Sequence, residues 1–169
     1  GVDACKDTAT TLEQNNVSYY YAEENVGTYI LTNSLLEEAK KDNCDMFLRF
    51  DSDDLARENF LYYGIQHTEK LEFVRPYFNY CTETGKPKGT TNPTIAHGPV
   101  FMTRKFLNEI GGYNHFRVAC DTDLIERAKI LGYNSKITKN LPMFYYRRTP
   151  GSLTKTKETA KKSKYRNNI

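Results

Sequence analysis

The chain lacks long apolar runs, tryptophan and closely spaced cysteine pairs. No segment approaches the roughly 18 consecutive apolar residues that a membrane-spanning helix requires. Residues 1–20 also lack the charged start and apolar run of a signal peptide, so we expect a cytoplasmic protein. The scattered cysteines have no histidines at ligand spacing, which favours buried free thiols over a zinc site or disulfide framework. They are Cys5, Cys44, Cys81 and Cys120.

The apolar content is sufficient for one domain, since 38% of the 169 residues are hydrophobic and 27% are charged. The net charge of +3 is uneven: residues 155–169 hold six basic residues and one acid, so residues 1–154 carry −2. We therefore expect one domain over residues 1–154, followed by a basic tail. The tail could contact a membrane surface through anionic lipid, or nucleic acid, although a solvated terminus is the simpler interpretation.

Strand and helix patterns alternate along the chain. The segment "TYILTNSLLEEAKK", residues 28–41, has apolar residues at helical spacing and predicts an amphipathic helix. The segments "VSYYYAEE" before it and "DMFLRFD" after it predict strands. Later helices are predicted for "RKFLNEIGG" and "DTDLIERAKILG", each ended by glycine. This alternation predicts an α/β domain with a mostly parallel sheet flanked by helices.

Three aspartates within four positions follow the strand "DMFLRFD". Their mutual repulsion requires a compensating cation. Mg²⁺ and Mn²⁺ take one or two protein carboxylates and complete their coordination with water and phosphate oxygens. The pattern alone is not specific, because aspartates also cap helices. A calcium loop does not fit, since glycine at the turn and glutamate at the twelfth position are absent.

Five segments together resemble, in order and approximate spacing, the inverting glycosyltransferase family 2, whose members have the GT-A fold of nucleotide-diphospho-sugar transferases. The segments are "NVGTYILTNSLLEEAKK", "MFLRFDSDD", "GPVFMTRKFLNEIGGYN", "CDTDLIERAKILGY" and "YYRRTPGSLT". No single segment is diagnostic, but the resemblance covers residues 2–154. It implies transfer of a sugar from a UDP- or GDP-sugar to a glycan or other hydroxyl acceptor, with Mn²⁺ or Mg²⁺ and without a nucleic-acid partner.

The resemblance also implies roles for the aspartates. Asp51 and Asp53 match the DxD pair, in which the first contacts the donor's ribose and both serve the metal site, with Asp54 in support. Asp121 falls where the family has its catalytic base, which takes the proton of the attacking hydroxyl. Two alternatives stay open here: Asp121 could cap the following helix, and Asp123 is also available.

Six further positions match donor-binding residues of the family. They are Asp3, Asn25, Gly27, Asn33, Arg147 and Arg148. Asp3 could instead cap a turn, and the two arginines could form a solvated strand end. The chain departs from the family at Thr32, where arginine is common, and at Thr149, where histidine is common. We therefore predict no histidine metal ligand.

Family members begin with a strand and a helix that precede the position of Gly1. We hypothesise that this chain is N-terminally truncated, or that a partner segment or chain completes the sheet, because a missing central strand leaves backbone groups unpaired. Two other functions stay open. One is a non-catalytic GT-A-like domain that binds glycan or protein. The other is a sugar nucleotidyltransferase, although its glycine-rich phosphate loop is not found in the sequence.

Overall fold

The computed structural model has a mixed α/β fold. The described residues are 12, 14–15, 17–20, 22–24, 26–88, 93–116, 119–137 and 140–147. They form four helices: α1 (Thr28–Lys41), α2 (Phe60–Leu71), α3 (Arg104–Ile110) and α4 (Cys120–Ile130). They also form seven strands: β1 (Met46–Arg49), β2 (Leu55–Ala56), β3 (Phe73–Val74), β4 (Tyr77–Cys81), β5 (Thr94–Ile95), β6 (Val100–Thr103) and β7 (Met143–Arg147).

The strands make two sheets, with the orders β1-β6-β3 and β2-β7-β4-β5. The prediction of a mostly parallel sheet is wrong for the described strands, because only β4 and β7 pair in parallel. Strands β1 and β3 share one neighbour, β6. Both strands are antiparallel to β6, so they run in the same direction as each other. A later strand, β6, lies between them and makes every pairing of this sheet antiparallel.

The helix predicted for residues 28–41 is confirmed as α1. It begins after Gly27, whose φ of 91° is readily adopted only by glycine, and ends with Lys40 and Lys41, which suit the negative end of a helix dipole. The strand predicted for "VSYYYAEE" is wrong for the described residues 17–20 and 22–24, which join neither sheet. Aromatic and β-branched content signals a half-buried pleated surface. Here Val17 and Tyr20 are 45% and 57% exposed.

Strand β6 is buried on both faces, and the core is organised around it. Val100 and Met102 point to one face and pack in a cluster with residues of α1, α3 and α4. Phe101 points to the other face and packs with Phe60 of α2 and Phe144 of β7. Alternating side chains of a strand point to opposite faces, so "VFM" serves both halves of the core.

Helix α2 approaches β6 closely at one glycine. A β-carbon added at Gly64 would lie 2.2 Å from Cζ of Phe101. The Thr68 hydroxyl, also buried, donates to the Gly64 carbonyl at 2.6 Å. The helix can therefore reach the sheet only because position 64 has no side chain.

We predict that Gly64→Ala destabilises the fold by about 1–3 kcal/mol through overpacking, although alanine is the better helix former. The free energy of unfolding can be measured by urea denaturation. Glu69→Ala, on the exposed part of the same helix, is the control and should change stability by less than about 0.5 kcal/mol. The cost of Gly64→Ala should shrink in a Phe101→Leu background, where the ring is gone. If Gly64→Ala were as stable as Glu69→Ala, the close approach of position 64 to Phe101 would be contradicted.

Candidate functional site

The acidic turn, residues 51–54, connects β1 to β2. Its first aspartate forms an ion pair with the last residue of β1. Arg49 donates through Nη2 to Oδ1 of Asp51 at 2.7 Å and through Nη1 to Oδ2 at 3.2 Å. Such two-pronged pairs are among the stronger charge-assisted contacts. The chain itself thus supplies the compensating cation for Asp51. Sequence reasoning missed Arg49, although its two-residue spacing from Asp51 along an extended chain was the available signal.

The Arg49–Asp51 pair is held between a tyrosine and a glycine. The guanidinium carbon lies 5.1 Å from the centre of the Tyr29 ring, within cation–π range, and the Arg49 side chain is only 10% exposed. Gly98 is also close to the pair, since a β-carbon there would lie 3.0 Å from Nη1 of Arg49 and 3.2 Å from Oδ2 of Asp51. Glycine at position 98 therefore leaves room for the pair.

The tyrosine beside Arg49 belongs to a core cluster that also contains Cys120, the residue before Asp121. Tyr29 packs against Tyr113 with ring centres 5.0 Å apart. Burial is the main cause that raises the pKa of both phenols, and the charges of Asp121 and Asp51 raise both pKa values further. The Arg49–Asp51 pair and the start of α4 thus both adjoin the part of the core that contains Tyr29 and Tyr113.

Asp121 and Asp123, the two acids in the first turn of α4, have different surroundings. Oδ1 of Asp121 accepts from the backbone N–H of Thr122 at 2.8 Å, and Oδ2 makes no hydrogen bond within the described part of the chain. Oδ2 of Asp123 accepts from Arg127 and from Asn114, both at 2.9 Å. Asp123 is thus committed to the fold, whereas Oδ2 of Asp121 has no partner among the described residues.

Asn33 fixes the backbone at Tyr113. Its Nδ2 donates to the Tyr113 carbonyl at 2.7 Å, and its Oδ1 accepts from the Tyr113 N–H at 2.9 Å. A β-carbon at Gly112, where φ is 81°, would lie 2.8 Å from this Oδ1. Asn33 therefore positions the tyrosine pair, and its contact with a donor stays a prediction. Gly27, predicted as another donor contact, lies at the start of α1 with open space around it.

Asp54 connects the acidic turn to the end of β7. Its side chain is buried, at 7% exposure, and Oδ1 accepts from the backbone N–H of Arg147 at 3.1 Å. Oδ2 of Asp54 and Nε of Arg147 are both buried without a hydrogen-bond partner among the described residues. Burial, with smaller contributions from the charges of Asp53 and Asp51, raises the pKa of Asp54 to about 7. A proton or a cation would satisfy Oδ2.

Asp53 is exposed and makes no hydrogen bond or ion pair with any described residue. Across the described ranges, no three histidine, cysteine, aspartate or glutamate side chains are close enough to form a protein-only metal cage. The turn instead suits a cation that takes one or two carboxylates and completes its shell with water and ligand oxygens.

Several predictions lie outside the described residues. Asp3, Asn25, Arg148 and the basic tail are among them. Of the described cysteines, Cys81 and Cys120 are buried free thiols as predicted, but Cys44 is exposed. That prediction is wrong at position 44 because the residue lies in the polar turn between α1 and β1. None of the described helices is both long and apolar enough to cross a bilayer.

A scan against models of known protein families finds no match, and a search among curated proteins finds no significant one. The geometry of the described residues is therefore what bears on function. It combines Asp121, which has one oxygen without a described partner, an acidic turn whose Asp53 has no described partner, and an aromatic pair that lies against the Arg49–Asp51 ion pair. Such a site can remove a proton at one end and hold a cation at the other.

The pKa of Asp54 predicts a specific pH dependence of stability. An unfolded aspartate ionises near pH 4, whereas folded Asp54 does so near pH 7. Between these values the folded state keeps a proton that the unfolded state has lost, so the free energy of unfolding falls as the pH rises from about 4 to about 7. Asp54→Asn cannot ionise and should be more stable than the wild type above about pH 7, by up to about 4 kcal/mol.

Urea unfolding over this pH range, with a chelator present to exclude bound cations, measures the effect. Asp45→Asn, at an exposed position before β1, is the control and should follow the wild-type pH profile. If the free energy of unfolding depended on pH in the same way in Asp54→Asn and in the wild type, the pKa of Asp54 would not be raised in the folded protein.

Proposed function

We propose that the chain is a GT-A-like domain of an inverting glycosyltransferase, which moves a sugar from a nucleotide-sugar donor to an acceptor hydroxyl. The observation that carries this proposal is a chain of contacts: the Arg49–Asp51 pair lies against Tyr29, and Tyr29 and Tyr113 share a core cluster with Cys120, the residue before Asp121. A donor-binding acidic turn and a base must face one substrate pocket for a direct displacement. The five-segment resemblance to family 2 supports the same conclusion.

Asp121 is the base in this proposal. Its Oδ2 accepts the proton of the acceptor hydroxyl while that oxygen attacks the anomeric carbon opposite the departing diphosphate. The hydrogen bond from the Thr122 N–H to Oδ1 holds the carboxylate in place. Asp123, which is paired with Arg127, contributes to the position of α4 and not to the proton transfer.

The acidic turn binds the donor in this proposal, with separate tasks for its aspartates. Asp51 pairs through both of its oxygens with Arg49, so it suits a hydrogen bond from a ribose hydroxyl better than a cation. Asp53, with support from Oδ2 of Asp54, would hold Mn²⁺ or Mg²⁺. When bound, such a cation neutralises charge on the leaving diphosphate. Arg147, at the end of β7, adds a positive side chain beside Asp54.

A second candidate is a non-catalytic domain that binds glycan or protein. The Arg49–Asp51 pair favours it, because an arginine on both oxygens of Asp51 weakens the attraction of the turn for a divalent cation. The two candidates differ in whether nucleotide binding depends on metal.

Calorimetry with UDP-, GDP- and dTDP-sugars, with and without Mn²⁺, separates the candidates. We expect one donor to bind in a metal-dependent way and Asp53→Asn to weaken that binding by about tenfold or more, as expected when a metal loses a ligand. Glu69→Asn, an acidic residue on the exposed part of α2, is the control. If the protein binds none of these nucleotide-sugars with metal present, the glycosyltransferase proposal is overturned, and glycan binding alone would support the second candidate.

The role of Asp121 gives a narrower prediction. Asp121→Asn should bind the donor as the wild type does, while the transfer rate falls by about a hundredfold or more because the general base is lost. The two quantities are measured by calorimetry and by single-turnover transfer with the donor identified above. Glu69→Gln is the matched control and should leave both unchanged. Wild-type turnover in Asp121→Asn would remove Asp121 from the mechanism.

A further inference from the structure

A pocket of about 210 Å³ lies at the far end of α4 from Asp121. Three cationic residues line it, and no acidic residue does: Arg75, Lys129 and Lys136. Its apolar walls include Tyr77, Ile95 and Ile125. Lys129 follows Asp121 by eight residues on the same helix, which places it about 12 Å along the axis. At Lys129, the pocket is thus about two helical turns from the proposed base.

Arg75 is a buried charge without a carboxylate partner in the described structure. It is 8% exposed, and its Nε donates to the Ala96 carbonyl at 2.8 Å. No ion pair of the described residues includes it. Burial lowers the pKa of Arg75, and the charges of Tyr77, Asp121 and Glu126 oppose this shift only in part. Because the guanidinium lines the pocket, an anion that enters it would gain a charge-assisted contact.

The surroundings of Arg75 add further positive charge. Lys129 and Lys136 lie exposed at the mouth of the pocket. Lys129 pairs with Glu126 at 2.6 Å, but both partners are more than half exposed, so a stronger anion can replace that contact.

The C-terminal end of α4 does not repel an anion as a bare helix end would. Its last carbonyls accept hydrogen bonds from the following turn, where Leu131 donates to Arg127 at 3.1 Å, Gly132 to Lys129 at 3.0 Å and Tyr133 to Ala128 at 2.9 Å. Three of the last carbonyl groups are therefore already hydrogen-bonded, which weakens the repulsion between this helix end and an anion.

We propose that this pocket binds a small organic phosphate, with its phosphate group on Arg75, Lys129 and Lys136 and its carbon body against Tyr77, Ile95 and Ile125. A phosphate monoester carries a charge of about −1.5 to −2 near neutral pH, which suits one guanidinium and two ammonium groups. The planar guanidinium matches two phosphate oxygens at once. A free inorganic phosphate ion has no apolar group that could contact the apolar walls of the pocket. The inference is independent of the proposed sugar transfer.

The test titrates the ¹⁵N-labelled protein with phenyl phosphate and, in a separate arm, with inorganic phosphate. We expect saturable amide shifts at Ile125, Tyr133 and Ser135 and tighter binding of phenyl phosphate. Lys129→Gln combined with Lys136→Gln removes two charged partners on the surface and should raise the dissociation constant about tenfold or more. Arg75→Lys keeps the charge but loses the planar fork, so it should weaken binding as well.

Lys41→Gln combined with Lys70→Gln is the matched control, because it removes the same charge from exposed positions that do not line the pocket. It should change the dissociation constant by less than about twofold, since distant exposed charges are screened by salt. Three results would overturn the proposal. The first is amide shifts at the pocket that do not saturate. The second is an equal loss of affinity in the Lys129→Gln/Lys136→Gln variant and in its control. The third is equal affinity for inorganic phosphate and phenyl phosphate. The lysine pair keeps the test decisive if Arg75→Lys fails to fold.

Discussion

The burial of β6 on both faces is the constraint on which the rest of the structure depends. Val100 and Met102 complete one half of the core, and Phe101 completes the other. The same strand also positions the site. Its Val100 pairs with Arg49 of β1, and Gly98, two residues before the strand, lies close to the Arg49–Asp51 pair. A shift of one residue in this register would turn Phe101 to the wrong half of the core. The packing of the core and the position of the acidic turn are thus decided together.

The carboxylates near the site are kept in different states by different partners. Asp51 is paired with Arg49, Asp123 with Arg127, and Asp54 is buried so that its pKa rises to about 7. These arrangements reduce the repulsion that close aspartates would otherwise cause. Asp53 and one oxygen of Asp121 are left without partners in the described structure. The free oxygens are the ones that a proposed cation and a proposed acceptor hydroxyl would use.

The local features of this chain could be predicted well because they depend on nearby residues. Helix α1 has the predicted bounds, α3 ends at a glycine as predicted, and Asp121 lies in the first turn of α4. Pairing between distant segments could not be predicted in the same way. The sequence contains no signal that β6 would lie between β1 and β3, and the strand predicted at residues 17–24 finds no partner among the described strands.

The sequence by itself determined that a strand ends in three aspartates and that a helix begins with two more, since these are properties of short segments. Only the tertiary structure decided which of these aspartates are free. Arg49 reaches Asp51 through the local strand geometry, but the burial of Asp54 depends on β7, which is 93 residues away at Arg147. Asn33 and Tyr113, which orient the aromatic pair, are 80 residues apart. Charge and solvation at a site depend on such distant neighbours, and short sequence patterns do not contain them.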